Sequence, residues 1–258
     1  MPCFEYKAKN VYYTEIGSGK PLLLLHGNTA SSNMFLSIAP LYAENYKVVL
    51  VDFLGHGKSD RLDVFPTDLW YDEAQQVITL LREKDYVGAD LIGTSGGALV
   101  AINAALEAPE LIGKVIADSF EGEVPLKEVT ENLAAGRETS KRDEGARAFY
   151  RAMHGNRWEH VVDCDTDAVL RHQKERGRFF HRELRELRAD ILLTGSRQDE
   201  FMAALSPDDL ERTYGELLEK IGHGEMHLFD TGGHPAMLSN QAKFVSLSQN
   251  FFERRNEG

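Results

Sequence analysis

Gly93-Thr94-Ser95-Gly96-Gly97 is a G-x-S-x-G pentapeptide lying between a short apolar run, Ala89–Ile92, and a helix-forming stretch, Ala98–Glu107. A serine at a sharp strand-to-helix turn is thrust out of the sheet, and small neighbours let strand and helix pass close beside it. Such a hydroxyl can attack an electrophilic carbonyl. The plainer alternative is a serine that only caps the helix. Serine is a weak nucleophile until a base takes its proton. An imidazole does this best near neutral pH, and a carboxylate must hold the ring in the right tautomer.

Both partners occur downstream, each after a strand-like run. Ile191–Thr194 leads into Gly195-Ser196-Arg197-Gln198-Asp199-Glu200, and Met226–Phe229 leads into Asp230-Thr231-Gly232-Gly233-His234-Pro235. The order Ser95, Asp199, His234 is one of the known chain orders of a serine, acid and histidine triad. Glu200 is the first rival for the acid and Asp118 the second; Asp118 could instead bind loop backbone. Among the other histidines, His26 is expected to organise its loop, His227 to pack inside its strand, and His56 and His223 to be structural or solvated. Acyl transfer also needs donors for a developing oxyanion. The backbone N–H of Gly96 is one candidate. The other is the backbone N–H of Asn28, in the His26-Gly27-Asn28 turn after Leu22–Leu25. If only that amide acts, Asn28→Ala costs little.

These residues need a frame. Phe4–Ala8 and Val11–Ile16 read as a hairpin turning at Lys9-Asn10. Leu22–Leu25 and Tyr46–Val51 are unalternating apolar runs that suit strands buried on both faces. Asn33–Tyr42 is expected to be helical. Asp68–Arg82 has apolar residues at helical spacing, with Thr67 as its N-cap. Lys114–Ala117 is a further strand, and helices are expected near Asp208–Ile221 and Gln241–Phe252. The alternation predicts an α/β fold with a mostly parallel sheet flanked by helices. Open sheets of this kind place their sites beyond the carboxyl ends of the strands. Residues 120–188 break the rhythm: they hold no convincing strand and read as a helical excursion, with acids and bases about balanced. Phe120, Phe149, Met153, Trp158, Phe179 and Phe180 within it could line a pocket or form core. Glu121 and Glu123 could meet a cationic substrate or be solvated.

The chain has 258 residues, 42% of them hydrophobic, which excludes a disordered protein, and its net charge of −12 disfavours nucleic acid and anionic membranes as partners. No apolar run is long enough to span a bilayer. The N-terminal residues lack a secretory pattern, and Cys3 and Cys164 stand alone. A cytoplasmic setting is expected, with a small molecule as partner and a monomer or homodimer as the assembly.

Together, His26-Gly27-Asn28, Asp52-Phe53-Leu54-Gly55-His56-Gly57-Lys58-Ser59, Gly93–Gly97, Asp199 and Gly233-His234 resemble the α/β-hydrolase superfamily over nearly the whole chain. The resemblance implies eight strands, a core domain formed by 1–119 and 189–258, and a helical cap at 120–188. It also implies that Asp52 and the 55–59 loop are architectural. The chain is most similar to cap-bearing esterases, enol-lactone hydrolases and carbon–carbon bond hydrolases. It is also somewhat similar to valacyclovir hydrolase-type enzymes, but these carry an acid where Gly96 stands, which disfavours an amino-acid ester. Haloalkane dehalogenases carry an aspartate where Ser95 stands, which disfavours dehalogenation. The expected function is therefore hydrolysis of a small ester or lactone, needing neither metal nor organic cofactor. The alternatives are cleavage of a carbon–carbon bond in a vinylogous diketone, or ligand reception on the same fold.

Overall fold

The computed structural model describes residues 1–201 and 207–254. Its eight strands are β1 (Cys3–Tyr6), β2 (Lys9–Gly17), β3 (Lys20–Leu25), β4 (Tyr46–Asp52), β5 (Ala89–Thr94), β6 (Ile112–Asp118), β7 (Asp190–Ser196) and β8 (Glu225–Phe229). They form one sheet in the order β1-β2-β4-β3-β5-β6-β7-β8. The β1–β2 and β2–β4 pairs are antiparallel and every other pair is parallel.

The helices are α1 (Ala39–Tyr42), α2 (Leu69–Glu83), α3 (Gly96–Glu107), α4 (Lys127–Ser140), α5 (Glu144–His154), α6 (Trp158–Glu175), α7 (Pro207–Ile221), α8 (Ala236–Ser239) and α9 (Gln241–Glu253). The leucine run in β3 shows how the sheet is sandwiched. Leu23 and Leu25 join a core built with α2, α3 and α7, whereas Leu22 and Leu24 join one built with α1 and α9. Alternate side chains point to opposite faces of a strand, so a strand covered on both sides must be apolar throughout.

Local details depart from expectation for physical reasons. The hairpin turns at Lys7-Ala8, where both residues have positive φ, not at Lys9-Asn10. Pairing of Phe4 with Val11, both buried, fixes that register. A two-residue hairpin loop matches strand twist when both its residues have positive φ. The stretch expected to be one helix over Asn33–Tyr42 is a 3-10 turn, Ser32–Phe35, followed by the short α1. Pro40 has no N–H to continue a helix from the preceding turn. Thr67 does not cap α2: Asp68 occupies the N-cap position, and the Thr67 hydroxyl accepts from Arg171 of α6.

Between β6 and β7 the chain leaves the sheet for α4, α5 and α6. This helical insertion rests on the end of the sheet where the parallel strands terminate. Arg171 donates to the Phe65 carbonyl at 2.7 Å, and Asp68 pairs with His181 at 2.6 Å and Arg176 at 3.1 Å. Phe120, Met153, Trp158, Phe179 and Phe180 are buried as core, while Phe149 is exposed. Among the described residues no helix is long and apolar enough to cross a membrane.

Candidate active site

Thr94, Asp118 and Thr194 stand in register across the ends of β5, β6 and β7. The Asp118 carboxylate joins them. It accepts from the Thr94 hydroxyl at 2.9 Å, the Thr194 hydroxyl at 2.8 Å and the Met237 amide at 3.0 Å. Burial pushes its pKa up to about 6. Asp118 therefore binds the segment after His234 and does not hold an imidazole. Ser119 assists, since its hydroxyl accepts from the Ala236 amide at 2.8 Å.

Ser95 follows β5 directly, with φ 55° and ψ −126°. A non-glycine residue in this region is strained, and such outliers cluster at functional sites. The turn is held by the Ser95 N–H to Asp118 O at 2.8 Å and by Ala98 N–H to Ser95 O at 2.9 Å. The close crossing of strand and helix requires glycine on both sides. A Cβ on Gly93 would lie 2.0 Å from Gly97 O, and one on Gly97 would lie 2.1 Å from Leu25 O.

His234 and Asp199 meet in the next two loops. His234 Nδ1 lies 2.8 Å from Asp199 Oδ2, and the Asp199 carboxylate is fully buried. Its other oxygen accepts from Phe201 N–H at 2.9 Å. Nδ1 is thereby engaged, and Nε2 is the ring nitrogen left for a serine proton. Glu200 does not compete for the ring, because its Oε2 accepts from the His234 backbone N–H at 3.0 Å. Phe201 lies beside the imidazole, centroids 4.7 Å apart, and is 60% exposed. The Asp118 and Ser119 contacts bring the loop of His234 to the strand edge that carries Ser95. No hydrogen bond joins the Ser95 hydroxyl to the His234 ring in this structure.

The turn at residues 26–29 faces Ser95. A Cβ on Gly27 would lie 2.8 Å from Ser95 Cβ and 3.3 Å from its Oγ. His26 organises this turn as expected. Phe53 N–H donates to its Nε2 at 3.2 Å, so Nδ1 carries the proton and donates to Gly27 O at 2.9 Å. Burial, with His56 beside it, lowers the His26 pKa to about 3 and keeps the ring neutral. Gly96 is the first residue of α3, and a first-turn N–H has no partner within its helix. The Asn28 N–H has no protein acceptor among the described residues. Ser95 thus lies between the start of α3, with Gly96, and the turn that carries Asn28.

The Asn28 side chain is more involved than expected. Its Oδ1 accepts from Trp70 Nε1 at 3.1 Å, and its Nδ2 donates to Asp165 Oδ2 at 2.8 Å. The amide group occupies the space over Gly96: a Cβ on Gly96 would lie 2.1 Å from Asn28 Oδ1. Gly96 is glycine because its neighbour's side chain fills its place.

Asp165 is a residue that local sequence reading misses. It lies on α6 among buried Val161, Val162 and Ala168, and an acid inside an apolar stripe is the one signal that marks it. His56 sits fully buried between Asp165 at 3.9 Å and Glu73 at 4.0 Å, and so is not solvated. Burial, with Asp165 and Asp72 nearby, pushes Glu73 well above the ordinary carboxyl range.

Other residues fall outside the site. His227 is exposed, because it lies on β8, the last strand of the sheet, which no neighbouring strand flanks on its outer side. His223 bonds Ala189 O at 3.0 Å. Asp52 is architectural, accepting from the Ser32 and Lys58 amides, each at 2.7 Å. Glu121 is not solvated: it accepts from Leu126 N–H at 2.7 Å, and burial pushes its pKa up to about 7. Glu123 pairs with Lys220 at 2.5 Å. Among the described residues no group of three or more His, Cys, Asp or Glu side chains is placed to hold a metal ion.

Comparison with known proteins agrees with this architecture. The chain is 25% identical over 272 residues to a 2-hydroxy-6-oxo-6-phenylhexa-2,4-dienoate hydrolase of Comamonas testosteroni, covering 95% of this chain and 92% of that relative. In fold it is similar to a serine hydrolase from the polyaromatic hydrocarbon-degrading bacterium Cycloclasticus zankles. That match has TM-score 0.79 and 21% identity, and covers 100% of this chain and 99% of the other. It is also similar to Est816, an N-acyl homoserine lactone degrading enzyme, with TM-score 0.74, 19% identity, and coverage of 97% and 100%. The model of the Alpha/beta hydrolase family matches residues 22–247. With that match, and with the eight-stranded sheet described above, the chain belongs to the alpha/beta hydrolase family and is a hydrolase.

Proposed function

We propose that this hydrolase cleaves a small carboxylic ester or lactone through an acyl-enzyme on Ser95. The observation that carries the proposal is the 2.8 Å Asp199–His234 pair, held on the strand edge from which Ser95 projects. Ser95 Oγ attacks the substrate carbonyl while His234 Nε2 takes its proton. Asp199 fixes the tautomer and stabilises the imidazolium. The Asn28 and Gly96 amides receive the charge that grows on the carbonyl oxygen. His234 then protonates the leaving alcohol, and afterwards draws a proton from the water that releases the acid. No step draws on a metal or an organic cofactor. Residues 120–188 serve as a cap over this site, and residues 1–119 with 189–258 as the core domain.

A panel of short-chain aryl esters and lactones tests the reading, with Ser95→Ala as the control. Turnover that disappears in the variant supports it. Turnover below about 1 s⁻¹ on every substrate, together with tight binding of a small ligand, favours a receptor.

A second reading rests on the near full-length likeness to the dienoate hydrolase. The same three residues would cleave a carbon–carbon bond in a vinylogous diketone. Faster turnover of such a diketone than of any ester selects it.

A further inference from the structure

Thr29 follows the proposed oxyanion donor Asn28 and has φ 55° although it is β-branched. A β-branched residue at positive φ is an outlier that its surroundings must hold in place. Each polar group of Thr29 is engaged by a different helix of the insertion. Its N–H donates to Asp165 Oδ2 of α6 at 3.3 Å. Its carbonyl lies 2.9 Å from His154 Nε2 of α5. Its hydroxyl accepts from Arg137 Nη1 of α4 at 2.7 Å. Gly57 N–H donates to His154 Nδ1 at 3.1 Å, so Nε2 carries the proton and donates to Thr29. The Thr29 hydroxyl in turn donates to Asn28 O at 2.7 Å, and Asp165 also accepts from the Asn28 side chain at 2.8 Å.

We propose that the helical insertion assembles the oxyanion hole by clamping Thr29, with Asp165, Arg137 and His154 as positioning residues that act through it on the Asn28 N–H. The inference rests on the oxyanion role given to Asn28 above. If the insertion lifts, Thr29 loses all three partners, its φ relaxes, and the peptide carrying Asn28 rotates away from Ser95. Opening the insertion to admit substrate therefore disarms the site, and closing it rearms the site. The charges are arranged for this task. Arg137 Nη2 lies 3.5 Å from Asp165 Oδ1, which offsets a carboxylate that would otherwise oppose a nearby oxyanion. Burial works to raise the Asp165 pKa, but His56, Arg137 and the Asn28 amide outweigh it and hold the carboxyl below its ordinary range.

The test is steady-state kinetics on an aryl ester, beside melting temperature and hydrogen–deuterium exchange over residues 27–33. The variants are Asp165→Asn, Arg137→Met, and each combined with Thr29→Gly. The clamp predicts a kcat about 10–100-fold lower in each single variant, with KM changed less than about threefold, because the oxyanion contact is stronger in the transition state than in the ground state. It also predicts faster exchange over 27–33. Glycine accepts positive φ without strain, so Thr29→Gly returns part of the lost kcat in each double variant. A lower melting temperature with unchanged kcat, or double variants no better than the single ones, overturns the clamp. Arg137, only partly buried, keeps the test open if Asp165→Asn fails to fold. If the wild-type chain hydrolyses nothing, the exchange data still judge the clamp. Faster exchange in Arg137→Met then keeps the mechanical link while the catalytic reading falls, and unchanged exchange removes both.

Discussion

Asp199 Oδ2 lies 2.8 Å from His234 Nδ1 across 35 residues of sequence, and the two side chains come from loops after neighbouring strands. The parallel pairing of β7 with β8 brings both loops to one edge of the sheet. Glu200, beside Asp199, turns instead to the His234 backbone. The two acids therefore do different work: one orients the ring and the other steadies the loop.

Their variants separate these roles. Asp199→Ala should lower kcat by about 10⁴-fold, the loss seen when the acid of such a triad is removed. Glu200→Gln keeps an acceptor for the His234 amide and should cost less than about tenfold. Kinetics on one aryl ester measures both. Equal losses would contradict the assignment.

The packing of Asn28 over Gly96 gives a second prediction. Gly96→Ala places a methyl 2.1 Å from Asn28 Oδ1 and should lower both melting temperature and kcat. Asn28→Ala removes the Trp70 and Asp165 contacts and should destabilise by about 1–3 kcal/mol. It keeps the backbone donor, so its kcat should fall less than the ~100-fold that loss of an oxyanion donor produces. In the double variant the alanine at 96 gains the room the amide vacates, and the stability losses should sum to less than the two singles. A strictly additive loss would contradict the contact.

Asp118 sets a pH dependence. Its folded pKa of about 6 lies above the ~3.9 of an unfolded aspartate. Its contribution to stability is therefore fully present below about pH 4 and is lost as pH rises through about 6. The shift corresponds to a change on the order of 3 kcal/mol. Asp118→Asn has no such titration. The melting temperature of the variant minus that of the wild type should climb between pH 4 and pH 7. A difference that stays flat across this window would contradict the burial cost assigned to the carboxylate.

Much of the frame, and the meeting of Asp199 with His234, was legible in the sequence because each element ends on a distinct signal. Leu22–Leu25 stops at a histidine and a glycine, Ala89–Ile92 at the glycine-flanked serine, and Met226–Phe229 at the glycines before His234. What escaped depends on partners distant in the chain. Lys9-Asn10 has better turn residues than Lys7-Ala8, yet the pairing of Phe4 with Val11 in the core decides the register. Thr67 looks like a cap until Arg171 of the insertion claims its hydroxyl. His227 sits in an apolar strand, but only the sheet order shows that this strand is an edge. Asp165 reaches Asn28 across 137 residues, and no local pattern names its partner.

Activation of Ser95 by His234 can be read from intact-mass spectrometry after treatment with a fluorophosphonate, on the wild type, Ser95→Ala and His234→Ala. One phosphonyl adduct is expected on the wild type, mapped to Ser95, with none on Ser95→Ala and far slower labelling of His234→Ala. An adduct that persists at another residue in Ser95→Ala while full activity remains would contradict it.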